Sequence, residues 1–425
     1  MLKKISRLKY FCGLDIGIFE IKASLVKVHD QQSLDLLGVF ETRSTGFKDG
    51  AVSDLTELAD AVSRTVKGLS QKFGVPIQSV HLGISSELLS TRRSCAVVPL
   101  VDSGTKIITR SDVKKVDYQA KLLGTGMDEE VVHAFPQFYK VDDVNAAANP
   151  AGLYGRKLES NLLLLLANTN RLRNVVKAVH QAGLEVTQVS LSSFASGEMA
   201  LTSEQKNKGC TLVDIGAHMT TVLFFQQGLM MDLQSIPWGG HYLTQNLAER
   251  LSLTLELAED IKRTHAVASE KVFHGQSSPG SQGTATATVA GGSGEILVKR
   301  EKNYLPVRSE AVCEAVNWEI ENFLTHLETV VKGSPLFYEL NAGMVVVGGG
   351  ALLPGLIERI EGRLNVPVSM GSTKGLNHAA LFAGAIGLGQ MGYTKNLKET
   401  IDLKTPLDWK NKAFERLREL CQEYF

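Results

Sequence analysis

Gly13-Leu14-Asp15-Ile16-Gly17, Val213-Asp214-Ile215-Gly216 and Val345-Val346-Val347-Gly348-Gly349-Gly350 are three apolar stretches that each end in small residues. The first two place an Asp two residues before a Gly. A strand of this kind buries its apolar side chains and leaves the Asp at its end, where a carboxylate can hold a hydrated Mg²⁺. The Gly lets backbone N–H groups approach phosphate. The third stretch runs into Ala351-Leu352-Leu353-Pro354-Gly355 and predicts a strand turning into a helix, a geometry suited to close approach of a nucleoside or phosphate. Single D-x-G or Gly-Gly-Gly turns occur in many α/β folds. Two facing strand-turn units far apart in the chain, followed by the Gly-rich turn, predict a two-lobed α/β protein with a nucleotide cleft.

The bulk numbers agree with this class. At 425 residues the chain is too long for one core and should divide into lobes. The formal net charge is zero, which gives no basis for nucleic-acid binding. The five cysteines (Cys12, Cys95, Cys210, Cys313, Cys421) are scattered with no C-x-x-C pair, so neither a disulfide framework nor a zinc site is indicated and a reducing cytoplasm is expected. Residues 1–10 are basic but precede no apolar core of a signal peptide. The apolar run 162–167 is far too short to span a bilayer.

Periodicity predicts strands at 10–28, around a turn, and at 34–41, then a helix over 55–72, where Leu55, Leu58, Ala59, Ala61, Val62 and Val66 recur at helical spacing. A strand follows at 80–84. Residues 85–165 change character and read as an inserted subdomain, with short strands at 94–99 and 130–135, a helix starting near Asp112 and a loop at 145–155. Helices are expected over 172–183, 243–264, 312–331 and 353–364, and strand over 214–225. Residues 275–294 read as a Ser/Gly/Thr/Ala-rich loop and 390–406 as a linker.

From 409 to 425 the pattern is that of an amphipathic helix. Trp409, Ala413, Phe414, Leu417, Leu420, Cys421, Tyr424 and Phe425 fill one arc, and charged residues fill most of the other. Docking on the protein's own core is the usual fate of such a helix. Its aromatic residues, the basic side chains beside them and its place after a polar stretch favour insertion at a lipid interface, driven by apolar burial rather than charge.

These features together resemble FtsA, the actin-like cell-division family of bacteria. The resemblance runs nearly end to end. It includes His133-Ala134-Phe135-Pro136-Gln137-Phe138-Tyr139, Asn149-Pro150-Ala151-Gly152-Leu153-Tyr154-Gly155, Ile236-Pro237-Trp238-Gly239-Gly240 and Ala258-Glu259-Asp260-Ile261-Lys262. It implies an actin/Hsp70-like (ribonuclease H-like) fold. Subdomain 1A would comprise 1–84, 166–208 and 378–395, and the family's inserted subdomain 1C 85–165. Subdomain 2A would comprise 209–245 and 320–377, subdomain 2B 246–319, and a linker with a membrane-targeting helix 396–425. It also implies ATP and Mg²⁺ as cofactors and filaments on the cytoplasmic face of the inner membrane at the division site. The implied partners are other copies of the chain, the C-terminal tail of the tubulin-like FtsZ, and later division proteins.

Matched by position, Asp15 and Asp214 are the residues implied to hold Mg²⁺ through water, and Gly17 and Gly216 the phosphate turns. Glu259 and Lys262 fall at ribose and adenine contacts, although an exposed i, i+3 pair is the commoner meaning of that spacing. Gly348, Gly349, Gly350 and Leu353 belong to the adenosine turn, and Gly239 and Gly240 complete the nucleotide set. Trp409, Phe414, Leu417, Leu420, Tyr424 and Phe425 are the implied membrane contacts. Lys299, Arg300, Lys302 and Arg308 offer a basic complement to an acidic partner tail.

The chain departs from the family at both turns. Ile18, Phe19 and Glu20 stand where small or hydroxyl residues and often a Lys are usual, and Glu20 is expected to repel phosphate. Ala217, His218, Met219, Thr220 and Thr221 replace Gly-Gly-Thr-Thr-Asp, with His218 expected as an exposed turn residue. Ser192 falls near the place of the acid that many actin-like relatives use to position the attacking water, and Ser cannot act unaided as a base. Hydrolysis is therefore expected to be slow or absent. Two alternatives remain at this point: a PilM-like pilus-assembly protein, and a sugar or acetate kinase of the same superfold.

Overall fold

Two hairpins, each opened by one of the D-x-G turns, seed two sheets with the same strand order. The computed structural model describes residues 10–402, except 30–32, 49, 102–103, 146–148, 269–294, 301–302 and 374–375. In the first lobe β1 (Tyr10–Ile16), β2 (Glu20–Val28) and β3 (Leu34–Arg43) form an antiparallel meander. Helix α1 (Leu55–Phe73) crosses over, and β4 (Ser79–Ile84) returns parallel to β1. The Asp54 side chain caps α1 by accepting from the N–H groups of Thr56 and Glu57, and Gly74 closes it in the left-handed region at φ 65°. The face predicted from periodicity (Leu58, Ala61, Val62, Val66) is buried in the first-lobe core.

An insertion follows: β5 (Leu89–Pro99), α2 (Arg110–Gly124), β6 (Glu129–Val141) and β7 (Lys157–Asn168). Strand β7 lies between β6 and β5, antiparallel to both. The apolar run 162–167 is its centre, and it is apolar throughout because both faces are covered. Leu162, Leu164 and Leu166 pack with Val116 and Ala120 of α2. Leu163 and Leu165 pack instead against Leu223, Met230 and Leu233 of the second lobe. Both flanking strands are longer than the 94–99 and 130–135 expected. Helix α3 (Thr169–Gln181) then leads to β8 (Glu185–Leu191), which is parallel to β4.

Helices α4 (Ser192–Ala200) and α5 (Ser203–Lys208) carry the chain into the second lobe. There β9 (Cys210–Ile215), β10 (Thr220–Gln226) and β11 (Leu229–Ile236) repeat the antiparallel meander. Next come α6 (Gly240–Leu251), α7 (Leu255–His265), the hairpin β12 (Glu295–Arg300) and β13 (Asn303–Arg308), and α8 (Ser309–Gly333). Strand β14 (Met344–Val347) is parallel to β9, and after α9 (Leu356–Leu364) the strand β15 (Val368–Met370) is parallel to β14. The sheet orders are β8-β4-β1-β2-β3 and β11-β10-β9-β14-β15, the same topology read from opposite edges.

Helix α10 (Ala383–Asp402) packs on the first-lobe sheet and against α4. It lies against β1 and α4 through small residues, because the backbones approach too closely for side chains. A Cβ on Gly387 would lie 1.8 Å from the Ala195 carbonyl oxygen, and one on Gly13 2.1 Å from that of Ala385. Ser24 Oγ donates to the Ala385 carbonyl at 2.7 Å.

Three expectations need correction. The helix expected over 243–264 is two helices, because Ser252 turns left-handed at φ 53° and Thr254 caps α7 by accepting from the Leu257 N–H. Residues 390–402 continue α10 rather than forming a linker. After β14 the chain makes a short 3-10 turn over Gly349–Leu352, and the regular helix begins only at Leu356. The loop at 275–294 and the amphipathic segment with Trp409, Phe414, Leu417, Leu420, Tyr424 and Phe425 lie outside the described residues. Among those described, no helix is long and apolar enough to cross a membrane.

Candidate nucleotide cleft

The two D-x-G hairpins face each other across a cleft of about 470 Å³. Their local construction is equivalent. In β1 and β2 Asp15 pairs with Lys22, and the Gly17 N–H donates to the Glu20 carbonyl at 3.1 Å. In β9 and β10 Asp214 pairs with Thr221, and the Gly216 N–H donates to the Met219 carbonyl at 3.0 Å. A Cβ on Gly17 would stand 2.8 Å from that Glu20 oxygen, and one on Gly216 2.9 Å from the Met219 oxygen. Both glycines are thus required by the turn itself, and their own amides are used to close it.

Asp15 and Asp214 line the floor of the cleft. Ser192 Oγ donates to Asp15 Oδ1 at 2.6 Å, and Ser196 Oγ to Asp214 Oδ2 at 3.2 Å. Helix α4 therefore supplies hydroxyl donors to both carboxylates. Two glycines leave them room: a Cβ on Gly384 would lie 2.9 Å from Asp15 Oδ2, and one on Gly348 2.6 Å from Asp214 Oδ1. Burial raises both carboxyl pKa values above the ordinary range, and the charge of Asp15 raises that of Asp214 further. Two desolvated carboxylates at the bottom of one cleft suit a hydrated divalent cation, whose charge relieves that cost.

The opposite wall is α7. Glu259 and Lys262 point inward, and they are not the exposed pair their spacing commonly denotes. Lys262 Nζ donates to Glu259 Oε2 at 2.5 Å, to Thr244 Oγ1 at 2.9 Å and to the Gly240 carbonyl at 3.0 Å. Thr244 Oγ1 in turn donates to Glu259 Oε2 at 2.6 Å. Burial pushes the Lys262 ammonium below its ordinary range against the pull of Glu259. Gly348, Gly349, Gly350 and Leu353 form the adjoining edge. Gly348 has φ 88°, and a Cβ on Gly350 would meet Ile215 Cγ2 at 2.2 Å.

Of the residues expected at the site, Gly239 alone does not line the cleft. Its role is to seat α6 on the second turn: the N–H groups of Gly240 and His241 donate to the carbonyls of Gly216 and Ala217 at 3.0 and 2.8 Å. A Cβ on Gly239 would lie 2.5 Å from both oxygens. His218 also departs from expectation. It faces the cleft, with its ring 4.6 Å from that of His241. The carboxylate of Glu20 is not left to oppose an anion, because Arg263 donates to it at 3.0 Å and Lys22 lies 3.6 Å away.

Lys22, Ser193, Ser196, His241, Arg263 and Gly384 line the cleft without having been singled out in the sequence. Only Lys22 left a local signal, as the cross-strand partner of Asp15. Of the proposed basic complement, Lys299 and Arg300 lie on β12 and Arg308 immediately precedes α8, while Lys302 is outside the described residues.

Twin sheets of one topology, each offering an Asp hairpin to a shared cleft, define an actin-like protein. Solved structures agree on the fold. The PilM-PilN type IV pilus biogenesis complex matches with a TM-score of 0.61 at 16% identity, covering 90% of this chain and 98% of that one. MreB5 of Spiroplasma citri bound to ADP matches with a TM-score of 0.52 at 13% identity, covering 93% and 99%. The model for Cell division protein FtsA matches residues 211–387 and that for the SHS2 domain inserted in FtsA residues 89–166, together more than half of the chain. Cell division protein FtsA of Streptococcus pneumoniae serotype 2 (strain D39 / NCTC 7466) is 28% identical over 371 residues, 86% of this chain and 76% of its own length. The chain belongs to the FtsA family of cell-division proteins. The likeness to PilM is therefore one of fold, and the kinase alternative falls away.

Proposed function

We propose that this division protein binds ATP with Mg²⁺ between its lobes, hydrolyses it slowly or not at all, and assembles into actin-like filaments. The observation that carries the nucleotide proposal is the pair Asp15 and Asp214, brought together on the floor of one cleft beneath two equivalent turns. A bound divalent cation would supply the positive charge these carboxylates lack, and the turns would hold the phosphates. Glu259, Lys262 and the turn at Gly348, Gly349 and Gly350 would take the nucleoside. Slow hydrolysis is supported by Ser192, whose hydroxyl is committed to Asp15 and which cannot act as a base unaided.

In the cell the protein would work mainly as an adaptor. Its C-terminal segment would insert at the cytoplasmic face of the inner membrane, the face of β12, β13 and α8 would take the tail of FtsZ, and the insertion would receive later division proteins. Support for the membrane contact is the apolar arc of the 409–425 segment.

Equilibrium binding of a fluorescent ATP analogue with Mg²⁺ tests the nucleotide proposal, comparing wild type with Asp214→Ala. Micromolar binding lost in the variant is expected. A well-folded wild type that does not bind would leave a nucleotide-free adaptor.

A further inference from the structure

Phe19 and Glu20 are the bulky and acidic residues that make the first turn look ill-suited to phosphate. In the structure they reach across the cleft. Arg263 Nη2 donates to Glu20 Oε1 at 3.0 Å, joining residues 243 positions apart in the chain and on opposite lobes. The same guanidinium donates through Nε to Glu259 Oε1 at 2.8 Å and lies 5.6 Å from the centre of the Phe19 ring. Arg43, the cross-strand partner of Glu20, lies 5.4 Å from the centre of the same ring. Phe19 thus contacts a cation from each lobe, and Arg263 bonds a carboxylate from each lobe.

The charges gathered at this rim are Glu20, Lys22, Glu41 and Arg43 from the first lobe and Glu259, Lys262 and Arg263 from the second. Arg263 is half exposed while Glu20 and Glu259 are largely covered, so the contact lies where the cleft opens to solvent. A guanidinium fixed by two carboxylates and a ring is better organised than a lone surface ion pair, because its planar fork is held on several sides.

We propose that Phe19, Glu20 and Arg263 form a strap across the mouth of the cleft, holding the lobes together and gating nucleotide exchange; the gating rests on the nucleotide proposal above. In this chain the residues that weaken the phosphate turn also bind it to the facing lobe. The strap gives lobe closure a component supplied by the protein. Nucleotide enters or leaves only when Arg263 releases Glu20.

Two measurements on the full chain test this. In the first, nucleotide-free protein carries spin labels at Lys67→Cys on α1 and Glu314→Cys on α8, with Cys95, Cys313 and Cys421 replaced by Ser, and the interlobe distance distribution is recorded. Glu20→Gln and Arg263→Gln should each broaden it toward longer distances, and the double variant should add nothing further. Distributions that match the parent in both single variants overturn the strap, whatever nucleotide does. In the second, release of a pre-bound fluorescent ATP analogue is followed by stopped flow. Each single variant should release roughly fivefold faster or more, again without additivity, and wild-type release should quicken with salt while the variants respond little. Broadened distances with unchanged release would overturn the gating. Failure of the parent to bind the analogue would overturn the nucleotide proposal, and the distance measurement would still decide the strap.

Discussion

The hydroxyl of Ser192 donates to Asp15 at 2.6 Å, so the first residue of α4 addresses the carboxylate at the end of the first strand. The donor satisfies a half-buried anion, and a hydrogen bond to a charged group contributes about 2 kcal/mol. Ser192→Ala is expected to lower the unfolding free energy by that amount at neutral pH, as read from chemical denaturation. Turnover of ATP should not fall, because Ser192 is not the base. A large drop in turnover would overturn this assignment.

Asp214 titrates above the ordinary carboxylate range in the folded chain because of its burial and the charge of Asp15. The folded state therefore holds the proton to higher pH than the unfolded state, and metal-free protein loses stability as pH rises from the ordinary carboxylate value through the raised one. Asp214→Asn should remove this loss, giving a higher and flatter Tm near pH 7 in chelator while abolishing Mg²⁺-nucleotide binding. Adding Mg²⁺ and nucleotide should raise the wild-type Tm and leave that of the variant unmoved.

Gly348 and Gly349 should respond unequally to the same substitution. Gly348 is left-handed, and a Cβ there would meet the Ile215 carbonyl oxygen at 2.4 Å; at Gly349 the nearest atom is Leu381 Cδ1 at 3.3 Å. Gly348→Ala should destabilise by more than about 1 kcal/mol, and Gly349→Ala by clearly less. Chemical denaturation of both variants checks the difference.

His133 links the insertion to the interlobe helices. Its Nε2 accepts from the Leu191 N–H at 3.0 Å, and its ring is 5.1 Å from that of Phe194 on α4. Burial pushes its pKa down to about 4. The unfolded chain protonates it near the ordinary histidine value, so stability falls as pH drops from about 6.5 toward 4. Thermal melts across that range should show the fall, and His133→Gln should flatten it.

A chain ending at Lys404 keeps every described helix and strand and removes the 409–425 segment. It is expected to melt at the wild-type temperature and to lose co-sedimentation with anionic vesicles. A lowered Tm with vesicle binding retained would assign the segment to the core.

What was legible in the sequence was what local chemistry encodes. Asp15, Asp214 and the glycines after them announce their turns, and the helix over α1 follows from its apolar spacing. The division of 243–264 was hidden because Leu247, Leu251, Leu255 and Ala258 keep helical spacing across the break; the cap at Thr254 was the overlooked signal. Helix α10 was missed because Ala383-Gly384-Ala385-Ile386-Gly387 is interrupted by glycines, which disfavour helix, and those glycines answer to close packing. Arg263 was invisible because its partner Glu20 is brought to it only by the complete fold.

The glycine face of α10 has a mechanical consequence. Near Gly13 and Gly387 there are few interlocking knobs, so bare backbone rests on bare backbone and the joint resembles a smooth bearing more than a gear. A single added methyl at Gly387 would act as a doorstop, wedging the helix away from α4 at 1.8 Å from the Ala195 carbonyl. The most damaging substitution in this joint is therefore one of the smallest that chemistry allows.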